Sequence, residues 1–181
     1  GNQLWVGTDG GFWQIGQDRV DRVAPDVIRN GVRSIVKDDK DTLYIGSETG
    51  LHIYKDGKIE TVLLENNSFS SANFIVGLHL EGERLWLITR NGLYSMNLKD
   101  RKPVHYANNL TEKEALFSYR NITRIDSTLY LGTMEHGILS FDIRTHEFQH
   151  YVDVGCNIIR SLSCDGKGVL YVGTDGNGVH F

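Results

Sequence analysis

At 181 residues the chain has the length of one domain or two small ones, and its 40% hydrophobic and 23% charged residues are ordinary for a globular protein. Nineteen basic against 23 acidic side chains give a net charge of −4, which argues against a dedicated nucleic-acid binder. The longest nearly apolar run, 74–80, is broken by Gly77 and His79 and falls far short of the roughly 20 residues a membrane span needs.

Two cysteines make no disulfide scaffold. Cys156 and Cys164 belong to one extended segment, roughly 26 Å apart at about 3.3 Å per residue, and read as two buried free thiols. No signal peptide is recognisable. The opening residues enter directly into a strand pattern, as an excised piece of a longer protein would. Twenty Gly against two Pro, with eight Tyr, seven Phe and three Trp, suit many short strands joined by tight turns.

The predicted elements fall into five repeats. The first, about 1–29, opens on Leu4-Trp5-Val6-Gly7-Thr8, continues through Gly11-Phe12-Trp13-Gln14-Ile15 and closes on a strand from Arg19 to Val23. The second, about 30–72, adds a leading strand with Val32 and Ile35, then Leu43-Tyr44-Ile45-Gly46-Ser47, Gly50 to Tyr54, and Ile59 to Leu64. The third, about 73–116, has Ile75 and Leu78, Leu85-Trp86-Leu87-Ile88-Thr89, Gly92 to Met96, and Val104 to Ala107. The fourth, about 117–156, has Tyr119 and Ile122, Leu129-Tyr130-Leu131-Gly132-Thr133, Gly137 to Phe141, and Phe148 to Val152. The fifth, about 157–181, has Ile159 and Leu162, Leu170-Tyr171-Val172-Gly173-Thr174, and Gly178 to Phe181.

The Leu-aromatic phrase recurs at spacings of 39, 42, 44 and 41 residues, and only Ile88 interrupts its glycine. Acidic, polar turns such as Asp38-Asp39-Lys40-Asp41 and Asp165-Gly166-Lys167-Gly168 separate the strands. A period near 40 with four antiparallel strands is the signature of a β-propeller blade. A lone sheet with two apolar faces cannot hide them, whereas stacked sheets can; the Leu and the aromatic of the phrase point to opposite faces. The phrase glycine removes a side chain where sheets crowd, and the following Thr or Ser can bond turn backbone.

The first copy lacks its leading strand and the last its closing one, so the chain holds eighteen strands, about four and a half blades. The expected fold is all-β, a single region 1–181 forming an open arc of a larger propeller. Its exposed blade faces and edges invite self-association.

The residues Asn30-Gly31-Val32-Arg33-Ser34-Ile35, Asp38, Leu43 to Ser47 and Gly50-Leu51 together resemble the two-component regulator propeller repeat. So do Asn73-Phe74-Ile75 with Leu85 to Thr89, and Asn157-Ile158-Ile159 through Gly173-Thr174; Phe117 replaces the Asn in the fourth copy. The resemblance spans essentially the whole chain. It implies the periplasmic sensor region of a hybrid two-component histidine kinase, an inner-membrane protein common in polysaccharide-degrading bacteria. The expected partners are the remaining propeller blades and an oligosaccharide ligand, with no nucleic acid and no membrane contact by this segment. No cofactor, metal or catalytic residue is expected. A protein-docking scaffold and a propeller lyase or hydrolase are the alternatives.

Some motifs imitate chemistry. His146-Glu147-Phe148-Gln149-His150 satisfies the H-E-x-x-H pattern, but zinc binding needs a helix to bring positions i and i+4 together. Repeat register makes this segment a fourth strand, with the two histidines roughly 13 Å apart. The acidic turn 38–41 lacks the Gly and distal Glu of a calcium loop, Asp175-Gly176-Asn177-Gly178 precedes no helix, and no G-x-S-x-G elbow occurs. The three tryptophans lie in strands and read as blade packing.

The loops between blades vary most. The longest, 108–118, contains Thr111 to Glu114, a capping-box pattern for a helical turn. In a propeller these loops share one rim with the turns between second and third strands. The candidate ligand residues on that rim are Arg29, Asn30, Glu48, Phe69, Asn73, Arg90, Phe117, Tyr119, Glu135 and His136. Aromatic rings beside Arg, Asn and acids suit an oligosaccharide.

Overall fold

A computed structural model describes residues 3–108, 110, 118–151 and 153–181; Phe117, the 111–114 turn and Val152 lie outside them. Each repeat folds as one antiparallel meander. The first sheet holds β1 (Leu4–Thr8), β2 (Gly11–Ile15) and β3 (Val20–Val23). The second holds β4 (Val32–Lys37), β5 (Leu43–Ser47), β6 (Gly50–Lys55) and β7 (Lys58–Val62). The third holds β8 (Ile75–Glu81), β9 (Arg84–Thr89), β10 (Gly92–Asn97) and β11 (Pro103–Tyr106). The fourth holds β12 (Tyr119–Ile125), β13 (Thr128–Thr133), β14 (Ile138–Asp142) and β15 (Glu147–His150). The fifth holds β16 (Ile159–Cys164), β17 (Leu170–Thr174) and β18 (Val179–His180).

Side chains set the turns. Asp38 Oδ1 accepts from the backbone N–H groups of Lys40 (2.9 Å) and Thr42 (2.7 Å), and Asp165 does the same for Lys167 (2.7 Å) and Val169 (3.1 Å). In all five phrases the terminal hydroxyl donates to the carbonyl of the glycine that begins or immediately precedes the next strand: Thr8 to Gly11, Ser47 to Gly50, Thr89 to Gly92, Thr133 to Gly137, Thr174 to Gly178. Gly50 takes φ of +134° there, a conformation side-chain-bearing residues rarely adopt.

Burial follows the two-faced pattern. The phrase leucine faces the preceding sheet and the phrase aromatic faces the following one: Tyr44 packs with Leu85 and Leu87, and Trp86 with Leu129, Leu131 and Phe141. Leu43, Leu85 and Leu129 are at most 2% exposed, whereas Leu4, with no sheet before it, is 60% exposed. At the other end Tyr171 is 40% and Phe181 91% exposed, while Tyr44 and Trp86 are buried. The stack is therefore an open arc with an uncovered face at each end.

Neighbouring sheets meet through their first strands; β4, β8, β12 and β16 lie side by side. The phrase glycine makes that approach possible. A Cβ on Gly7 would come within 2.5 Å of Val32, on Gly46 within 2.6 Å of Ile75, and on Gly132 within 2.7 Å of Ile159, each the opening residue of the next first strand. In the third copy the space is exchanged: Ile88 pairs with Gly77, whose added Cβ would lie 2.8 Å from Ile88 Cδ1.

Some expectations need correction. The fourth strands run Lys58–Val62 and Pro103–Tyr106, ending before Leu64 and Ala107, because the chain there turns toward the next blade. Cys156 precedes β16 instead of sharing a strand with Cys164, and both thiols are half-buried. Glu147–His150 is strand and His146 sits in the preceding turn at φ +62°, its ring edge-on to Tyr106 at 5.0 Å.

Candidate functional site

One backbone hydrogen bond recurs on the rim. The residue after each phrase donates its N–H to the carbonyl just before the same blade's first strand: Glu48 to Gly31 (3.2 Å), Arg90 to Phe74 (3.1 Å), Met134 to Ser118 (3.0 Å), Asp175 to Ile158 (3.0 Å). Beside it, every complete first strand carries a bulge at its second residue, between Val32 and Ser34, Ile75 and Gly77, Tyr119 and Asn121, and Ile159 and Ser161. A bulge leaves one residue unpaired and re-aims its side chain. The four residues are Arg33, Val76, Arg120 and Arg160.

Arg33, Val76 and Arg120 line two clefts at once. One, about 520 Å³, adds Gly7, Thr8, Asp9 and Val32. The other, about 670 Å³, is walled by Phe74, Thr89, Arg90, Ser118, Tyr119, Met134 and Glu135 between the third and fourth blades, a size within the ordinary range of small-molecule sites. The Arg90 guanidinium lies over the Phe74 ring, 3.7 Å from its centroid. Tyr119 is buried in the wall, and burial pushes its phenol up to about 12, so the hydroxyl stays protonated.

Charges on the rim alternate in their fate. Arg33 pairs with Glu48 and, at 2.9 Å, with Asp9, and the Glu48 hydrogen bond leads in holding its guanidinium charged. Arg160 pairs with Asp175 at 2.6 Å. Arg90, Arg120 and Glu135 form no ion pair among the described residues.

Of the sequence candidates, Arg90, Tyr119 and Glu135 meet in the larger cleft, and Glu48 stands behind Arg33. Arg29 donates Nε–H to the Asp26 carbonyl (3.0 Å), Asn30 is exposed on its loop, and the N–H of His136 caps Thr133 Oγ1 (2.9 Å); none of the three lines the cleft. Phe69 is 94% exposed and stands away from it. Asn73 is fully buried: its Oδ1 accepts from Leu64 and Glu65, and its Nδ2 donates to the carbonyls of Glu65 and Asn67. It pins the loop and has nothing left to offer a ligand. Phe117 lies outside the described residues. Sequence reasoning missed Arg33, Phe74, Arg120 and Met134, although an arginine follows the opening residue of the first strand in three of the four copies that have that strand.

Two other constellations have local roles. Ser47 Oγ lies 2.8 Å from His52 Nε2, and His52 Nδ1 lies 2.9 Å from Thr61 Oγ1, a tie across β5, β6 and β7. His52 is 1% exposed, and burial brings its pKa down to about 4, so it stays neutral. On the opposite rim a larger groove, about 1110 Å³, is lined by charges of both signs, of which Arg101 pairs with Glu60, Lys99 with Glu83 and Lys37 with Asp41. Among the described residues no three His, Cys, Asp or Glu side chains gather to hold a metal.

No protein-family model matches the sequence, and no curated protein does. Among solved structures, the fold is similar to the extracellular domain of BT4673 from B. thetaiotaomicron, described in one structure as a hybrid two component system and in another as a one component system (21% identity, TM-score 0.75, 96% of this chain and 24% of that one). It is also similar to the extracellular domain of BT3049 from the same organism, described as a hybrid two component system (19%, 0.69, 99% and 25%), and to the WD40 β propeller domain of Doa1 (10%, 0.71, 98% and 59%). The chain spans about a quarter of the two extracellular domains. These likenesses establish the fold as propeller blades.

Proposed function

We propose that the chain is an arc of the extracytoplasmic sensor region of a hybrid two-component regulator, on the periplasmic side of an inner-membrane protein, and that it binds an oligosaccharide without acting on it. The cleft between the third and fourth blades carries this reading. Its aromatic and apolar walls, Phe74, Tyr119, Val76 and Met134, suit the faces of sugar rings, while Arg90, Glu135 and Ser118 offer donors and acceptors for hydroxyls. Likeness to extracellular domains described as hybrid two component systems supports the setting. Further four-stranded blades of the same repeat cover Leu4 at one end and Tyr171 at the other, since Leu4 stands where Leu43, Leu85 and Leu129 are buried and Tyr171 where Tyr44 and Trp86 are.

Isothermal calorimetry against a panel of oligosaccharides tests this. Binding of at least one sugar at about millimolar strength or tighter, with the sugar recovered intact, is expected. Cleaved or eliminated products, or no heat with any sugar, contradict it.

A further inference from the structure

The position after each phrase is acidic in three blades: Asp9, Glu48 and Asp175. Where the acid is present, the bulged arginine has a carboxylate partner: Arg33 pairs with Asp9 and Glu48, and Arg160 with Asp175. The third and fourth blades break the pattern in adjacent sheets. Arg90 occupies the acid's place in the third and Met134 in the fourth, so Arg120 faces a thioether where its counterparts face a carboxylate. Two exposed guanidiniums thus share one cleft with no carboxylate bound to either among the described residues. Glu135, on the same cleft, pairs with neither of them.

Guanidinium presents a planar fork of donors that matches carboxylate and sulfate geometry, and it keeps its charge at every ordinary pH. We propose that this cleft recognises an anionic group on its ligand, so that the saccharide is an acidic one carrying a carboxylate or sulfate, which takes the place of the acid missing from the third and fourth blades. This rests on the saccharide reading above. Arg120 and Arg90 receive the anion, the apolar wall of Val76 and Met134 lies against the ring, and Glu135 accepts from a hydroxyl. Arg33, already matched by two carboxylates, contributes position and not free charge.

The experiment uses the full chain with three probes: the trisaccharide of galacturonic acid, its methyl-esterified form, and sodium sulfate. Calorimetry is read beside NMR of the arginine Nε–H resonances. The acid trisaccharide is expected to bind and the ester to bind at least about tenfold more weakly, with affinity falling as salt rises from about 50 to 200 mM. Sulfate is expected to move the Arg90 and Arg120 resonances. Met134→Glu, which gives Arg120 the internal partner that Arg33 and Arg160 have, and Arg120→Gln each lower affinity about tenfold or more. Lys58→Gln on the opposite rim, an equal loss of charge, leaves it unchanged. Equal binding of acid and ester overturns the anionic site and leaves the saccharide reading standing. Sulfate shifts with neither sugar bound support the anion site and overturn the saccharide reading. Resonances of Arg90 and Arg120 unmoved by every probe overturn the proposal.

Discussion

His52 shows how one buried side chain makes the fold sensitive to pH. Its ring is neutral, desolvated and bonded on both nitrogens. Because its folded pKa, about 4, lies below the unfolded 6.5, its contribution is complete above about pH 6.5 and is lost as pH falls toward 4. His79, also lowered by burial and by Arg124, acts in the same direction. Urea unfolding at about pH 7 and pH 4.5 is expected to show a loss of order 2–3 kcal/mol, and His52→Gln should flatten that dependence. An unchanged pH profile in the variant contradicts the assignment. At Gly46, replacement by Ala forces a Cβ against Ile75 and is expected to cost about 1–3 kcal/mol in the same assay. The glycine's role was legible in the phrase itself. The exception at Ile88 was not, because its compensation by Gly77 depends on cross-strand register, which the bulge shifts by one residue.

At the scale of elements, the first strand decides the site. Its apolar pairs stand three apart, as in Val32 and Ile35 or Tyr119 and Ile122, whereas a regular strand alternates in twos. That odd interval encodes the bulge and therefore the inward arginines, so part of the site was present in the sequence as a spacing. Which cleft those arginines line depends on how sheets meet, and spacing does not carry that. Asn73 illustrates the opposite case: an Asn at the head of the repeat looks available to a ligand, and its four hydrogen bonds become visible only once the loop from β7 to β8 is folded around it. Asn73→Ala leaves buried backbone groups of that loop unpaired and is expected to cost about 2–3 kcal/mol, with faster amide exchange at Leu64 and Glu65. Exchange unchanged at those two amides would show that the loop holds itself.

For the whole molecule, the two uncovered faces set behaviour in solution. Leu4, Val179 and Phe181 expose apolar surface that the middle sheets hide. With these faces uncovered, the chain is expected to self-associate through them, seen in sedimentation velocity as concentration-dependent species that Leu4→Lys with Tyr171→Lys disperses. A double variant as associated as the parent contradicts this. The arc itself was readable because a 40-residue period and a two-faced strand allow few solutions; the ligand was not, since rim residues answer to no packing rule.

Hydrogen–deuterium exchange of the chain with and without saturating acidic trisaccharide tests the central claim most directly. Protection should gather at residues 74–76, 89–91, 118–120 and 134–135, around the cleft of Arg90 and Arg120. Protection centred instead on the opposite groove around Asp38, Lys58 and Arg101, or no protection at a concentration where calorimetry shows binding, would contradict it.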